Sequence, residues 1–187
     1  MASTEYLRRL HDDVLSWYRT ADAKAQLILT LDGIFITIVS ANIFVKPDEL
    51  QARKESFGPV TWSLLGLAAA AMVCSIASAV VCLHSRLKDA DPRRIKTNLG
   101  IDPTREETYI PAIAWWFGFL ATLPRDKISK YLSTVDDSLE QQILAVEVVA
   151  LSVNVLRKHR WVNRGWIFAA SSLASIVLAG AAYVVTV

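Results

Sequence analysis

Residues 61–83 read TWSLLGLAAAAMVCSIASAVVCL and residues 165–187 read GWIFAASSLASIVLAGAAYVVTV; neither stretch contains a charged side chain. A helix needs about 20 apolar residues to cross a hydrocarbon core, so each stretch is long enough to span a bilayer. A third, 26–45 (QLILTLDGIFITIVSANIFV), is of similar length but carries Asp32. Together they predict an all-α integral membrane protein with about three transmembrane helices. The rest of the composition agrees. Of 187 residues, 53% are hydrophobic and the net charge is +2, too apolar and too balanced for a disordered chain or a nucleic-acid coat. Cys74 and Cys82 both lie inside the second span. Eight helical residues separate them by about 12 Å, too far for a disulfide, and two cysteines cannot supply a four-ligand zinc site. The first apolar run follows an acidic, aromatic leader without a basic n-region, so no cleavable signal peptide is expected.

The positive charges set an orientation. Of the 20 lysines and arginines, only Lys46, Arg53 and Lys54 fall between the first and second spans; the others precede the first span or lie between the second and third. The positive-inside rule puts the richer side in the cytosol. The expected organisation is a cytosolic N-terminal helix (1–25), transmembrane helix 1 (26–45), a periplasmic loop (46–60), transmembrane helix 2 (61–83), a cytosolic helical region (84–164) and transmembrane helix 3 (165–187). Long helices would thus extend from the bilayer into a small helical cytosolic domain.

Leu7, Leu10, Val14, Trp17, Ala21, Lys24, Ile28, Leu31 and Phe35 recur at alternating spacings of three and four. That pattern predicts one packed seam along a leader helix continuous with the first span. Pro47 and the polar stretch after it end this helix. Residues 89–110, with Asp91-Pro92, Asp102-Pro103 and the turn Asn98-Leu99-Gly100, read as loop. The run PAIAWWFGFLATL (111–123) is too short to span; it suits a buried core helix, an interfacial segment or a re-entrant dip. PRDKISKYLSTV opens an amphipathic helix with Pro124 near its first turn. Asp137-Ser138 starts a long last helix, with Ser138 and Gln141 at capping-box spacing. No Gly or Pro interrupts it before Gly165, so it runs into the third span.

The sequence contains no phosphate-binding glycine loop, HExxH, GxSxG or paired CxxC, so no enzyme, cofactor or metal site is expected. Polar residues in apolar surroundings remain. Asp32 lies within the first span, where a carboxylate is costly. It is either bonded to Ser and Thr of neighbouring helices or part of an ion path, a gating candidate. Lys24 sits at the membrane edge, either snorkelling to lipid phosphates or meeting a partner or bound anion. Glu140, Glu147, Asn154 and Trp161 are spaced by seven, flanked by Lys158, and this stripe needs partners on a neighbour or a ligand. RKHRWVNRGW (157–166) has the composition of an interfacial basic-aromatic belt. Small residues recur every four in the second span (Ala70, Cys74, Ser78, Cys82; also Ala71, Ser75, Ala79) and in the third (Ser171, Ser175, Ala179), stripes that let helices pack closely within or between chains.

Three ordered blocks resemble one family. LSWYRTADAKAQLILTLDG (15–33), WWFGFLATLPRDKISKYL (115–132) and SLEQQILAVEVVALSVNVLRKHRWVNRG (138–165) are similar to the aromatic–Ala-Asp-x-Lys-Ala, Phe-Phe-Gly and Gln-Ile/Leu-Ser/Lys segments of the membrane effectors of Pycsar anti-phage systems. Two departures stand out: Asp32 replaces the usual Asn, and Trp116 the first of the paired Phe. The resemblance implies a bacterial inner-membrane protein with its N-terminus in the cytosol. It would be activated by a pyrimidine cyclic mononucleotide, cUMP or cCMP, made by a partner nucleotidyl cyclase, and would impair the membrane in abortive infection. The expected partners are lipid bilayer, cyclic nucleotide and further copies of the chain, with no nucleic acid polymer. A cyclic mononucleotide needs a cation for its phosphate, a polar group for its base edge and an aromatic face. Lys24, Asn154 and Lys158, with Trp17 and Trp116 for stacking, are the candidate ligand residues, placed between the leader and the last helix. The alternative is a structural or assembly subunit of a membrane complex, which would co-purify with a larger partner.

Overall fold

The computed structural model describes residues 4–44, 57–84, 109–114, 117–120 and 123–186. The regular elements among them are all α-helices: α1 (Thr4–Phe44), α2 (Pro59–Leu83), α3 (Pro111–Ala114), α4 (Phe117–Leu120), α5 (Arg125–Ser133) and α6 (Asp137–Thr186). Three of them, α1, α2 and α6, are long and apolar enough to cross a membrane. The outer loop up to Ser56, the turn at Asn98, the Asp-Pro breaks and Trp115 and Trp116 lie outside the described residues. The chain divides into two compact units, Met1–Arg19 with His84–Leu156 and Thr20–Leu83 with Arg157–Val187.

In the first unit the starts of α1 and α6 lie side by side and run in the same direction. The Gln141 amide donates to Thr4 Oγ1 at 2.9 Å, and the Arg8 guanidinium forks onto both Glu140 oxygens at 2.7 Å. His11 Nε2 stands 3.2 Å from Glu147 Oε1. Beyond these polar rungs Val14, Val148 and Val155 are buried together, with Leu10, Tyr18 and Leu151 packed against them. The hydrogen bond from Arg8 lowers the Glu140 pKa, and the same contact raises that of Arg8. A lowered carboxylate favours the fold above its unfolded pKa, and that support is lost as pH falls through the lowered value. The pair is solvent-exposed on the Arg8 side, so its weight is small.

The start of α6 is capped two residues earlier than the sequence suggests. The Leu139 N–H donates to Asp136 Oδ1 at 2.8 Å, so Asp136 is the N-cap. Ser138 lies inside the helix, and Gln141 is turned toward Thr4 instead of closing a box. Pro124 occupies the N-cap of α5 as expected, its fixed φ suiting a helix entry.

In the second unit α2 runs against α1 and α6. Cys82 Sγ lies 4.0 Å from the Ala21 carbonyl, Ser75 bonds Asp32, and Ser172 donates to the Ala68 carbonyl at 2.9 Å. Ala21, Ala25, Ile28, Ala79, Cys82 and Val162 form the core. In lipid no hydrophobic force joins apolar helices, so close packing by small residues and interhelical hydrogen bonds must do it. Ser78, Ser175, Thr30 and Thr37 bond carbonyls four residues back in their own helices. Ser75 and Ser172 cross to neighbours, each crossing contributing about 0.6 kcal/mol on average.

The packed face of α1 differs from the expected seam. Val14, Ala21 and Ile28 are buried, but so are Ala25 and Asp32, whereas Trp17 and Leu31 are large exposed hydrophobics and Lys24 is exposed. The seam keeps its alternating spacing in another phase (14, 18, 21, 25, 28, 32), because alanine at 25 lets α2 and α6 approach where Lys24 would hold them off. Most of the small-residue stripe positions pack within the chain. Ala70, Cys74 and Ser171 are exposed, while Ala71, Ser75, Ser78, Ala79, Cys82, Ser172, Ser175 and Ala179 are buried within the chain. Ser78 and Ala179 therefore serve internal packing.

Gly165 sits where α6 meets both α1 and α2. A Cβ there would lie 3.0 Å from Ile28 Cδ1, 3.6 Å from Ser78 Cβ and 3.7 Å from the Ser75 carbonyl. Gly165→Leu should therefore force the helices apart, destabilising the second unit by about 1–3 kcal/mol, the usual cost of overpacking. Adding Ile28→Ala should recover part of that loss, measured as thermal stability in detergent micelles. A Gly165→Leu protein as stable as wild type would show that the packing has room the distances deny.

Candidate functional site

Two polar nodes lie in the second unit, one at each of two levels along α1. At the first, Lys158 is 4% exposed and its Nζ donates to Asp22 Oδ1. The pairing follows from helix geometry: Val155, Lys158, Val162 and Gly165 occur at spacings of three, four and three, so Lys158 falls on the packed face of α6. A buried ammonium needs a counter-charge, and Asp22 supplies one from α1. Below it the belt begins, with the Arg164 guanidinium 4.9 Å from the Trp161 ring centroid, within cation–π range.

The second node lies ten residues further along α1, about 15 Å by helical rise. Asp32 is 6% exposed. The Ser75 hydroxyl stands 2.8 Å from Asp32 Oδ2 and 3.2 Å from the Gly165 carbonyl oxygen. One hydroxyl carries one proton, so Ser75 serves two acceptors with a single donor. Beside this node is a cavity of about 320 Å³ lined by Asp32 and, among others, Phe35, Met72, Trp166, Ala169 and Leu173. The sequence marked Asp32 as a candidate and left its partner open; that partner is Ser75, on the stripe Ala71, Ser75, Ala79.

The expected ligand residues fall in both units. In the second unit Lys24 is exposed and Lys158 is buried against Asp22. In the first unit Trp17 is 54% exposed, and the Asn154 amide donates to the Ala150 carbonyl of its own helix at 3.1 Å. Trp116 lies outside the described residues. The heptad stripe is satisfied by the leader: Glu140 meets Arg8 and Glu147 faces His11. Among the described residues no group of three or more His, Cys, Asp or Glu side chains could hold a metal ion.

The Asp22–Lys158 pair gives an asymmetric expectation. Lys158 is deeper than Asp22, whose side chain keeps 29% of its exposure, so removing the carboxylate should cost more than removing the amine. Asp22→Leu should destabilise the protein by about 3 kcal/mol, Lys158→Met by less, and the double variant should regain part of the loss. Chemical denaturation in mixed micelles measures all three; equal losses for both single variants would contradict the difference in burial.

The sequence model of the Pycsar effector protein domain, PycTM, matches residues 6–186, taking in nearly all of both units. No curated protein and no solved structure matches the chain. The ordered blocks around Asp22, Asp32 and Lys158 and the three apolar helices thus stand within one match that covers most of the sequence. The chain belongs to the Pycsar effector family of anti-phage defence and is a membrane protein of that family.

Proposed function

We propose that the protein is the membrane-damaging effector of its defence system. A pyrimidine cyclic mononucleotide, cUMP or cCMP, made by a nucleotidyl cyclase on infection, switches it to an assembled state that impairs the inner membrane and aborts infection. The observation that carries this reading is the family match over residues 6–186, on a chain with three helices able to cross a bilayer. A surface feature supports assembly between copies. Val149, Val153 and Leu156, spaced by four and three on α6, are 65%, 66% and 54% exposed in a part of the helix that precedes the basic belt. An apolar stripe facing water is a protein-contact surface in the usual case.

The nucleotide is read, on this proposal, by Lys158 and Lys24 at the phosphate, Asn154 at the base edge and Trp17 and Trp116 by stacking. A phosphate near Lys158 would compete with Asp22 for the ammonium, so binding and the charge pair are linked. The N-terminus and residues 86–164 face the cytosol and residues 51–59 the periplasm, following the distribution of lysine and arginine. Asp32 and Ser75 belong to the membrane-spanning part that must rearrange for the bilayer to leak.

Purified protein should bind cUMP or cCMP in calorimetry, and Asn154→Ala should weaken that binding while the helical content stays unchanged. In vesicles loaded with a self-quenched dye, the nucleotide should release dye, and Val153→Glu should suppress release without affecting binding. Binding of neither nucleotide would overturn the signal, and release without nucleotide would overturn the switch.

Topology is checked separately, by cysteine labelling of whole cells in a background lacking Cys74 and Cys82. An impermeant maleimide should reach a cysteine at position 56 and leave one at position 138 unlabelled; the reverse pattern would invert the orientation.

A further inference from the structure

The cavity beside Asp32 is not needed for the proposed signal, whose candidate residues lie elsewhere on the helices. Its lining combines α1, α2 and α6: Leu31, Asp32 and Phe35 from the first, Met72 from the second, and Trp166, Ala169 and Leu173 among those from the third. At about 320 Å³ it is at the small end of the range for small-molecule sites, roughly 300–1,000 Å³. Leu31 and Leu173 are exposed, so the space communicates with the outside of the helices. Asp32 is its one ionisable lining residue. The wall is otherwise almost wholly hydrocarbon and aromatic. Ser172, the other polar residue there, spends its proton on the Ala68 carbonyl.

The hydrogen-bond count at Asp32 is the second observation. Its Oδ2 takes the Ser75 proton at 2.8 Å, while the Gly165 carbonyl, 3.2 Å from the same hydroxyl, lies within α6 and already has the helix N–H four residues on as its donor. Among the described residues no other side-chain hydrogen bond reaches that carboxyl. The Asp32 carboxyl thus has one side-chain donor for its two oxygens. An acceptor left without a donor in apolar surroundings is costly. The ligand that completes this site carries a hydrogen-bond donor, preferably a positive one, on an apolar body.

We propose that this cavity is an intramembrane binding site for a lipophilic primary amine, its ammonium donating to the Asp32 carboxyl and its hydrocarbon tail lying along Phe35, Met72 and Leu173. With the ligand bound, the ammonium supplies the carboxyl oxygen that Ser75 leaves without a donor. A carboxylate amphiphile of equal length has the wrong charge, and an alkane leaves the node as it is. Selectivity for amine over acid is therefore the signature of the site.

The test uses the full chain in phosphatidylcholine nanodiscs and a photoreactive octylamine with a diazirine at its tail, with labelled positions mapped by mass spectrometry. Label should concentrate on the cavity wall at Phe35, Met72 and Leu173. Unlabelled octylamine should displace it at about a tenfold lower concentration than octanoate, the discrimination expected of one charge-assisted contact. Asp32→Asn supplies its own amide donor and removes the charge, so labelling should fall by about tenfold; Ala169→Leu, which fills the space, should abolish it. Label spread as densely over the exposed Val177, Leu178 and Val184 would show partitioning into lipid and overturn the site. Equal displacement by octanoate, or Asp32→Asn labelling at the wild-type level, would overturn the role of the carboxyl. Absence of label from the cavity would mean that lipid or a second copy of the chain fills it. Should Asp32→Asn fail to fold, the amine-against-acid competition on wild type decides alone.

Discussion

In a hydrocarbon solvent every buried polar group needs a partner within the protein, and in the second unit that requirement converges on the Ser75 hydroxyl. It touches Asp32 of α1 and the Gly165 carbonyl of α6 from its place on α2. Three helices meet at one side chain. That meeting needs small residues around it: a glycine at 165 whose Cβ position is already occupied at 3.0 Å, and alanines at 21, 25 and 79 with no exposure at all. Interhelical hydrogen bonds in lipid are individually weak. Close backbone approach, made possible by these residues, therefore supplies most of the cohesion, and the polar node fixes which rotation of each helix is compatible with it. A slip of one residue on α2 would carry Ser75 away and leave Asp32 without its donor.

The charge pair Asp22–Lys158 applies the same rule nearer the belt. Lysine in an apolar interface costs more than it contributes unless a carboxylate sits opposite. A pair of this kind is better suited to specifying a register, or to being exchanged for another anion, than to raising stability. Under the proposed signal, its position on the packed face would give the nucleotide phosphate a defined competitor, whereas an exposed lysine such as Lys24 would meet a phosphate with no change in packing.

How far the sequence could be read follows from which properties are local. Length and apolar composition identified the three helices able to cross a membrane, since insertion into lipid depends on composition along one segment. The unbroken run from Asp137 to Gly165 foretold a helix continuous with its span, as α6 is. The phase of the α1 seam was not legible. Trp17 and Ala25 fit an alternating pattern equally well, and only the width available between α1 and its neighbours decides between bulk and alanine. The N-cap was missed because Asp136 and Ser138 are both good caps, and the choice depends on where Gln141 finds Thr4. The Ser75 node and the cavity depend on three helices at once. A stripe of small residues announces close packing without stating which hydroxyl turns to a neighbour and which to its own helix. Lys158 was legible as a charge beside an apolar stripe, but its partner could equally have been Glu147, which instead faces His11.

The same side chains carry opposite meanings along α6. Val177, Leu178 and Val184 are exposed in the stretch that follows Gly165; on the proposed topology the solvent there is lipid, and exposure of valine and leucine costs nothing. Val149, Val153 and Leu156 are as exposed in the stretch that precedes Arg157, and the residues among them are no more polar. What separates the two is RKHRWVNRGW, whose charges and tryptophans mark the interface and whose Arg164 rests on Trp161. On the proposed topology the stretch before the belt faces water, where each buried methylene gains about 0.8 kcal/mol on leaving solvent, and the stripe at 149–156 then has a driving force for contact that the stripe at 177–184 lacks. Assembly through this part of the helix would be driven from water and not from lipid, and the internal faces at Ser78 and Ala179 would be left as they are.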